Sequence, residues 1–371
     1  MGLLGRRDVM EQWSCIAPTN APRTRFAEIP KYAEGLYDLG SRVYTWLVPN
    51  GSWFESNAGL IVGEGESLLV DTLADLKYTR AMLDALRPFT ARAPLRYVVN
   101  THADGDHFWG NELVASAECI TSEASLAEMR AVNAQAMVLL QRVGKVLSAV
   151  RVFGARRAGH WLQQMVAPYD FRSVKTTPAT RAFKGNLTLN LGGRAVELIE
   201  VGPAHSLGDL MVHVPDAKIL FASDILFIGS TPVMWAGPVE NWFAALDRIL
   251  AMDVQAIVPG HGPITDKCGA QQVKAYWEFV VAQVRRRYDA GMSAKDAVYD
   301  IVRSQDFLCQ PFAQWNSPER LIVSAHTLYR NWRGQFGHLK PVQMLDMMIK
   351  QAMLAYELPD AQPAIMRRKP K

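Results

Sequence analysis

The chain has 371 residues, 49% hydrophobic and 20% charged, the profile of an ordinary soluble globular protein with ample length for a large core. Forty Lys+Arg against 36 Asp+Glu leave a formal charge of +4, too mild to indicate nucleic acid or a membrane surface as a partner. The opening Met1-Gly2-Leu3-Leu4-Gly5-Arg6-Arg7 lacks the apolar core of a signal peptide, and no run is long and uncharged enough to span a bilayer, so the expectation is a cytoplasmic protein. Cys15, Cys119, Cys268 and Cys309 lie far apart without a C-x-x-C pair and read as reduced, mostly buried thiols.

Residues 1–35, with Pro18, Pro22 and Pro30 and no clear period, read as an N-terminal arm, extended along the domain or partly disordered. Arg42–Val48 is strand-like, and the runs Asn57–Val62 and Ser67–Thr72 form a hairpin about Gly63–Glu66, with Asp71 at the end of its second strand. Asp75–Leu86 places Leu76, Met82, Leu83 and Leu86 at helical spacing, and Pro88 follows the expected helix end. Leu95–Val99 reads as a buried strand, and directly after it come four potential metal ligands in six residues, His102, Asp104, Asp106 and His107. Imidazoles and carboxylates packed this closely repel or lose hydration on burial unless a cation compensates them. A bound metal is the simplest reason for the cluster; a solvated polar loop with two histidines is the alternative.

Glu118–Thr121 is a short strand and Ser122 a helix cap. Residues 123–175 repeat apolar residues at helical spacing and predict two or three inserted helices, either ordinary core or a lid over a substrate pocket. Phe183–Glu200 is a second hairpin turning at Gly192-Gly193, and Met211–Val214 and Ile219–Ser223 continue the sheet. His205 stands in the loop Gly202–Asp209, Asp224 ends the apolar run from Lys218, and His261 ends the run from Ala256, flanked by Gly260 and Gly262. Each time a ligand type stands where a buried strand gives way to a loop, the place where α/β folds gather their sites. From Ala270 to Leu358 the pattern is helical, with Ser293 capping Ala294–Val302 and Pro318 opening a helix through Trp332. No linker sets this stretch apart, so residues 269–358 read as a C-terminal helical extension packed on the preceding part, and 359–371 as a loose, basic tail.

His102-Ala103-Asp104-Gly105-Asp106-His107, His205 ahead of Gly208-Asp209, Asp224, and Pro259-Gly260-His261-Gly262 resemble, in this order, the four motifs of the metallo-β-lactamase-fold superfamily over about residues 40–265. The first motif reads H-x-D-x-D-H where the family has H-x-H-x-D-H. The resemblance implies an α/β (α+β) fold, the αββα sandwich, over residues 36–268 with 123–175 as a helical insertion. Two strand-rich halves, each followed by helices, fit that architecture. By the same resemblance one metal site uses His102, Asp104 and His205, a second uses Asp106, His107 and His261, and Asp224 bridges them. Asp71 and Asp209 would brace these residues by hydrogen bonds.

The implied activity is that of a metal-dependent hydrolase, in which a metal-bound hydroxide attacks a small organic substrate such as an ester, lactone, lactam or thioester. Asp106 and Asp224 are its candidate catalytic residues. One or two divalent ions are expected, zinc first, with iron or manganese entering because Asp104 hardens the first site. Two alternatives stand beside this. One is a diiron or dimanganese oxidoreductase resembling the flavodiiron branch, which has an acid at the position of Asp104 but relies on a flavodoxin-like domain for which no candidate is evident. The other is a mononuclear zinc hydrolase using only the second site. Phe108, Trp109, Trp235 and Trp242 lie within or between the motifs and read as aromatic core or pocket wall. His160, His213, His326 and His338 match no motif and read as surface or hydrogen-bonded structural histidines; Arg285-Arg286-Arg287 reads as a solvated helix face.

Overall fold

A computed structural model describes residues 9–150, 153–337, 339 and 341–358. Two sheets stack face to face. The first runs in the order β1 (Cys15–Pro18), β2 (Gly35–Asp38), β3 (Val43–Leu47), β4 (Ala58–Val62), β5 (Ser67–Val70), β6 (Leu95–Val99), β7 (Glu118–Ser122) and β8 (Arg181–Phe183). It is antiparallel up to β5 and parallel from β5 to β8, the change coming where α1 (Leu76–Thr90) carries the chain back between β5 and β6. The second holds β9 (Asn186–Leu191), β10 (Arg194–Glu200), β11 (Leu210–Val214), β12 (Ile219–Phe227) and β13 (Ala256–His261) in sequence order.

The strands read as unbroken apolar runs because both of their faces are covered. Side chains alternate between two cores: Leu60, Leu69 and Val98 point outward against Met82 and Leu86 of α1, while Ile61, Leu68 and Val99 point inward against Leu198, Val212 and Phe221 of the second sheet. The outer face of the second sheet is covered by Trp242 and Leu246 of α6 (Val239–Ala251; the helices between are given below) and by Val273 and Trp277 of the next helix. Helix, sheet, sheet and helix are thus layered around three apolar clusters.

Between β7 and β8 the chain forms α2's successors, α3 (Glu123–Ala131), α4 (Gln135–Ala149) and α5 (Phe153–Val166), α2 itself being the single turn Gly105–Phe108 after β6. Helices α4 and α5 cross so closely at Gly144 and Gly159 that a Cβ on Gly159 would run into the Gly144 carbonyl and the Ser148 amide. The C-terminal stretch forms α7 (Lys267–Asp289), α8 (Ala294–Ile301), α9 (Gln305–Leu308), α10 (Leu321–Trp332) and α11 (Pro341–Glu357). These helices share an apolar cluster with β12 and α6, and α11 also packs on α5.

The structure departs from expectation in several places. The arm contributes β1, which adds an edge to the first sheet; its four residues are too few for a legible period. Helix α1 runs through Pro88 to Thr90, because a proline in the last turn forfeits little and Phe89 stacks on Tyr44 with ring centres 4.1 Å apart. Of the four free thiols only Cys119 is buried; Cys15 and Cys268 are half-buried and Cys309 is exposed. Arg287 is not part of a solvated face. It is buried, donating from Nε to Asp300 at 2.7 Å and from Nη1 to Gln283. His338 and the tail 359–371 lie outside the described residues. Among the described residues no helix is long and apolar enough to cross a membrane.

Candidate metal centre

The cluster is assembled at one edge of the sandwich, where β5, β6, β10, β12 and β13 end or bend. Asp71 follows β5 with a φ of +61°, which turns its carboxylate back beneath the loop after β6. There it accepts hydrogen bonds from the Thr101 amide (2.7 Å), the Thr101 hydroxyl (2.8 Å) and His107 Nδ1 (2.8 Å). Helix α2 places Asp106 and His107 side by side, and Asp104 occupies its N-cap position without capping it. That carboxylate is turned instead toward His205, with Oδ2 3.1 Å from Nε2, and the same oxygen accepts the Trp235 indole N–H at 3.1 Å.

His205 is held by two neighbours. Asp209 accepts from the amides of Ala204 and Ser206 and from the Ser206 hydroxyl, closing the loop on itself. The segment after β12 then grips the histidine: Nδ1 donates to the Val233 carbonyl (2.7 Å), while the amides of Trp235 and Ala236 donate to the His205 carbonyl. His261, at the end of β13, donates from Nδ1 to the Glu55 carbonyl at 3.0 Å and stacks on Phe227, the rings 5.0 Å apart and 4° from parallel. Asn57 ties this strand end to the first sheet, donating to the carbonyls of Pro259 and Gly262.

Asp224 does not end its strand as expected. Strand β12 continues to Phe227, and its pairing with β13 slips on either side of Ser223, whose φ is +47°. This irregularity breaks the alternation and aims Asp224 at the cluster. Its Oδ1 lies 3.2 Å from His107 Nε2, and its Oδ2 lies 3.4 Å from the Nε2 atoms of both His205 and His261. Gly260 is required beside it, since a Cβ there would collide with Asp224 Oδ1.

Three groups of donor atoms result, each within 4.8 Å: His102, Asp104 and His205; Asp106, His107 and His261; and His102, His107 and Asp224. The first two are the sets that the motif resemblance implies. With Nδ1 of His107, His205 and His261 committed to acceptors, each Nε2 is directed inward. The buried atoms His102 Nε2, His107 Nε2 and Asp224 Oδ1 have no hydrogen-bond partner among the described residues. Burial lowers a histidine pKa, yet Asp224 and Asp104 lift His205 to about 10. Burial likewise raises a carboxylate, yet His205 and His102 hold Asp104 at about 2. Both shifts express one demand, for positive charge among buried carboxylates. Orphaned imidazole nitrogens and a mixed imidazole and carboxylate donor set fit a divalent cation.

Asp104, Asp106, His205, Asp224 and His261 of the cluster line a cavity of about 350 Å³. Trp109 and Trp235 line it as expected of a pocket wall, whereas Phe108 and Trp242 do not. Phe108 is wholly buried in the first apolar cluster; Trp242 packs on Trp277 and donates to the Ile225 carbonyl. Sequence reasoning missed much of the wall. Trp53 and Phe54 come from the loop after β3, and Arg320, Met344 and Met348 come from the C-terminal helices. From the insertion, Val132, Met137 and Met165 face the cavity. The one legible signal was Arg320, a charge at the mouth of an apolar helix. His213 pairs with Glu197 and His160 with the Tyr356 hydroxyl, both as hydrogen-bonded structural histidines away from the cluster.

Stacked sheets with helices outside, and imidazoles and carboxylates gathered at their edge, define an αββα protein with a candidate metal centre. The profile described as "Metallo-beta-lactamase superfamily" matches residues 51–261, and the chain belongs to that superfamily. It is 25% identical over 223 residues to the 2,4-dinitroanisole O-demethylase subunit alpha of Nocardioides sp. (strain JS1661), a match covering 58% of this chain and 54% of that one. To the acyl-coenzyme A thioesterase MBLAC2 of Homo sapiens it is 26% identical over 239 residues, covering 62% and 76%. The solved sec-alkylsulfatase Pisa1 from Pseudomonas sp. shares the fold with a TM-score of 0.60 at 14% identity, over 84% of this chain and 53% of that one. The chain therefore spans only about half the length of the O-demethylase subunit and of the alkylsulfatase.

Proposed function

We propose that the chain is a metal-dependent hydrolase that cleaves an ester-type bond in a small, largely apolar organic substrate. The observation that carries this is the donor cluster lining an apolar cavity, with His102 Nε2, His107 Nε2 and Asp224 Oδ1 buried without a hydrogen bond. His102, Asp104 and His205 would hold one cation, Asp106, His107 and His261 another, and Asp224 stands within reach of both sets. When bound, such cations acidify a coordinated water to a pKa of roughly 7 and offset negative charge developing on the substrate.

The chain's own residues supply orientation and dryness. Asp71 fixes the His107 tautomer, and the carbonyls of Val233 and Glu55 do the same for His205 and His261. Trp53, Phe54, Met137 and Met348 exclude water and bind the apolar part of the substrate. The names of the relatives, an acyl-coenzyme A thioesterase and an O-demethylase subunit, support bond cleavage at an acyl or ether-like oxygen or sulfur; the imidazole-rich donor set makes zinc the first metal to test.

A second reading rests on Asp104. With His102 and His205 it forms a two-histidine, one-carboxylate set, the combination suited to non-haem iron. Metal analysis of the purified protein, joined to turnover of thioester, alkyl sulfate and lactam substrates, tests both. Zinc with hydrolysis is the expected result, lost together with bound metal in His261→Ala. Two equivalents of iron with oxygen consumption and no hydrolysis would replace the hydrolase by an oxidoreductase.

A further inference from the structure

The cavity contains a buried positive charge that the metal centre does not call for. Arg320 stands at the entry of α10 and is 2% exposed, yet among the described residues its guanidinium makes one long hydrogen bond, from Nη1 to the Thr231 carbonyl at 3.4 Å, and its Nε has no partner. Its Cζ lies over the Trp53 ring, 4.7 Å from the centroid, and 6.0 Å from the centroid of the Phe227 ring. It lines the same cavity as Asp106 and Asp224.

The acids acting on it are Glu319, Asp224, Asp106 and Glu55. Asp106 and Asp224 belong to the donor sets and are claimed by cations when these are bound. Four carboxylates at the centre, Asp71, Asp104, Asp106 and Asp224, balance two divalent ions. Glu319 and Glu55 then remain as the acids beside Arg320 at the cavity wall, and the hydrogen bond its guanidinium makes goes to the Thr231 carbonyl. A guanidinium carries five N–H donors, and leaving buried donors unmet is costly. A cation held over the face of Trp53 keeps its N–H donors for a planar or tetrahedral oxyanion.

We propose that Arg320 docks an anionic group of the substrate, which makes the substrate class an apolar chain bearing one oxyanion, a carboxylate or a sulfate or phosphate ester. This rests on the cavity's being the substrate site of the proposed hydrolase. The apolar wall takes the chain, and Arg320 sets which end faces the metal centre.

The full-length protein with its native metals is titrated with decanoate, decyl sulfate and decanol, following tryptophan emission and heat of binding. Both anions are expected to bind about tenfold or more tightly than the alcohol. Arg320→Gln should bring that ratio close to one at unchanged metal content, and Arg320→Lys should keep part of it. An anion preference that survives Arg320→Gln would assign the anion to the metal ions and overturn the proposal. So would a parent protein that binds decanol as tightly as decanoate, a comparison that needs no variant to fold. Sulfate release from decyl sulfate marks the bound oxyanion as the scissile group, and decanoate binding without it marks a remote anchor; either supports the site. Arg320-dependent anion binding with no hydrolysis of any ester upholds the site and sinks only the hydrolase. Hydrolysis of neutral esters without anion preference does the reverse.

Discussion

The indole N–H of Trp235 bears on why a carboxylate can stand where the family motif has histidine. A carboxylate has two oxygens and several orientations, and an imidazole ring has few. At Asp104 the freedom is removed by Trp235, whose hydrogen bond holds Oδ2 toward His205. Replacing Trp235 with phenylalanine keeps the ring and deletes the donor. One metal equivalent should then bind about tenfold to a hundredfold more weakly, read by titrating the metal-free protein with cobalt and following its visible absorption. Unchanged affinity would mean that Asp104 is oriented without the indole. At this scale the donor residues were legible because few side-chain types can hold a metal and most of these stand in or near a loop that follows an apolar run. The wall residues were not, because their chemistry is that of any core. Adjacent Phe108 and Trp109 point to core and cavity respectively, and Met347 is buried in the core while Met344 and Met348 on the same helix line the cavity. Only packing decides the difference.

Among the elements, the single turn of α2 and the slip in β12 do most to shape the centre, and both are short interruptions of regular patterns. Apolar runs predict the strands well; a one-residue irregularity at Ser223 leaves no mark in composition, so β12 was read as ending at the residue that it re-aims. The contact between α5 and α11 has a consequence that can be measured. His160 of α5 meets the Tyr356 hydroxyl of α11, and burial, with Arg156 nearby, pushes its pKa below the ordinary 6.5. The folded chain thus keeps the imidazole neutral at a pH where the unfolded chain takes up a proton. Stability from this residue is complete above pH 6.5 and is lost as the pH falls below it. Acidification from about pH 7.5 to about pH 5.5 should lower the melting temperature of the parent relative to that of His160→Gln. Equal slopes in the two proteins would remove His160 as the cause.

In the whole molecule, the sheets carry the donors and the helices carry the wall. The αββα layering was legible from two strand-rich halves, but the closing of the cavity by α10 and α11 was not, since it joins residues more than two hundred positions apart, such as Trp53 and Arg320. Ending the chain at residue 340 would remove Met344 and Met348 from the wall and uncover the partners of Met347, Ala352, Leu354 and Ala355. The expected outcome is a melting temperature lower by about 5 °C or more and increased binding of a hydrophobic dye, measured by scanning fluorimetry. A truncated protein that melts like the parent would show α11 to be dispensable. The order of these parts along the chain matters in another setting. All seven donors precede Gly262, and Arg320, Thr327, Met344 and Met348 follow it. During synthesis, which runs from the N-terminus, every imidazole and carboxylate of the nest leaves the ribosome before the residues of the last two helices that close the cavity.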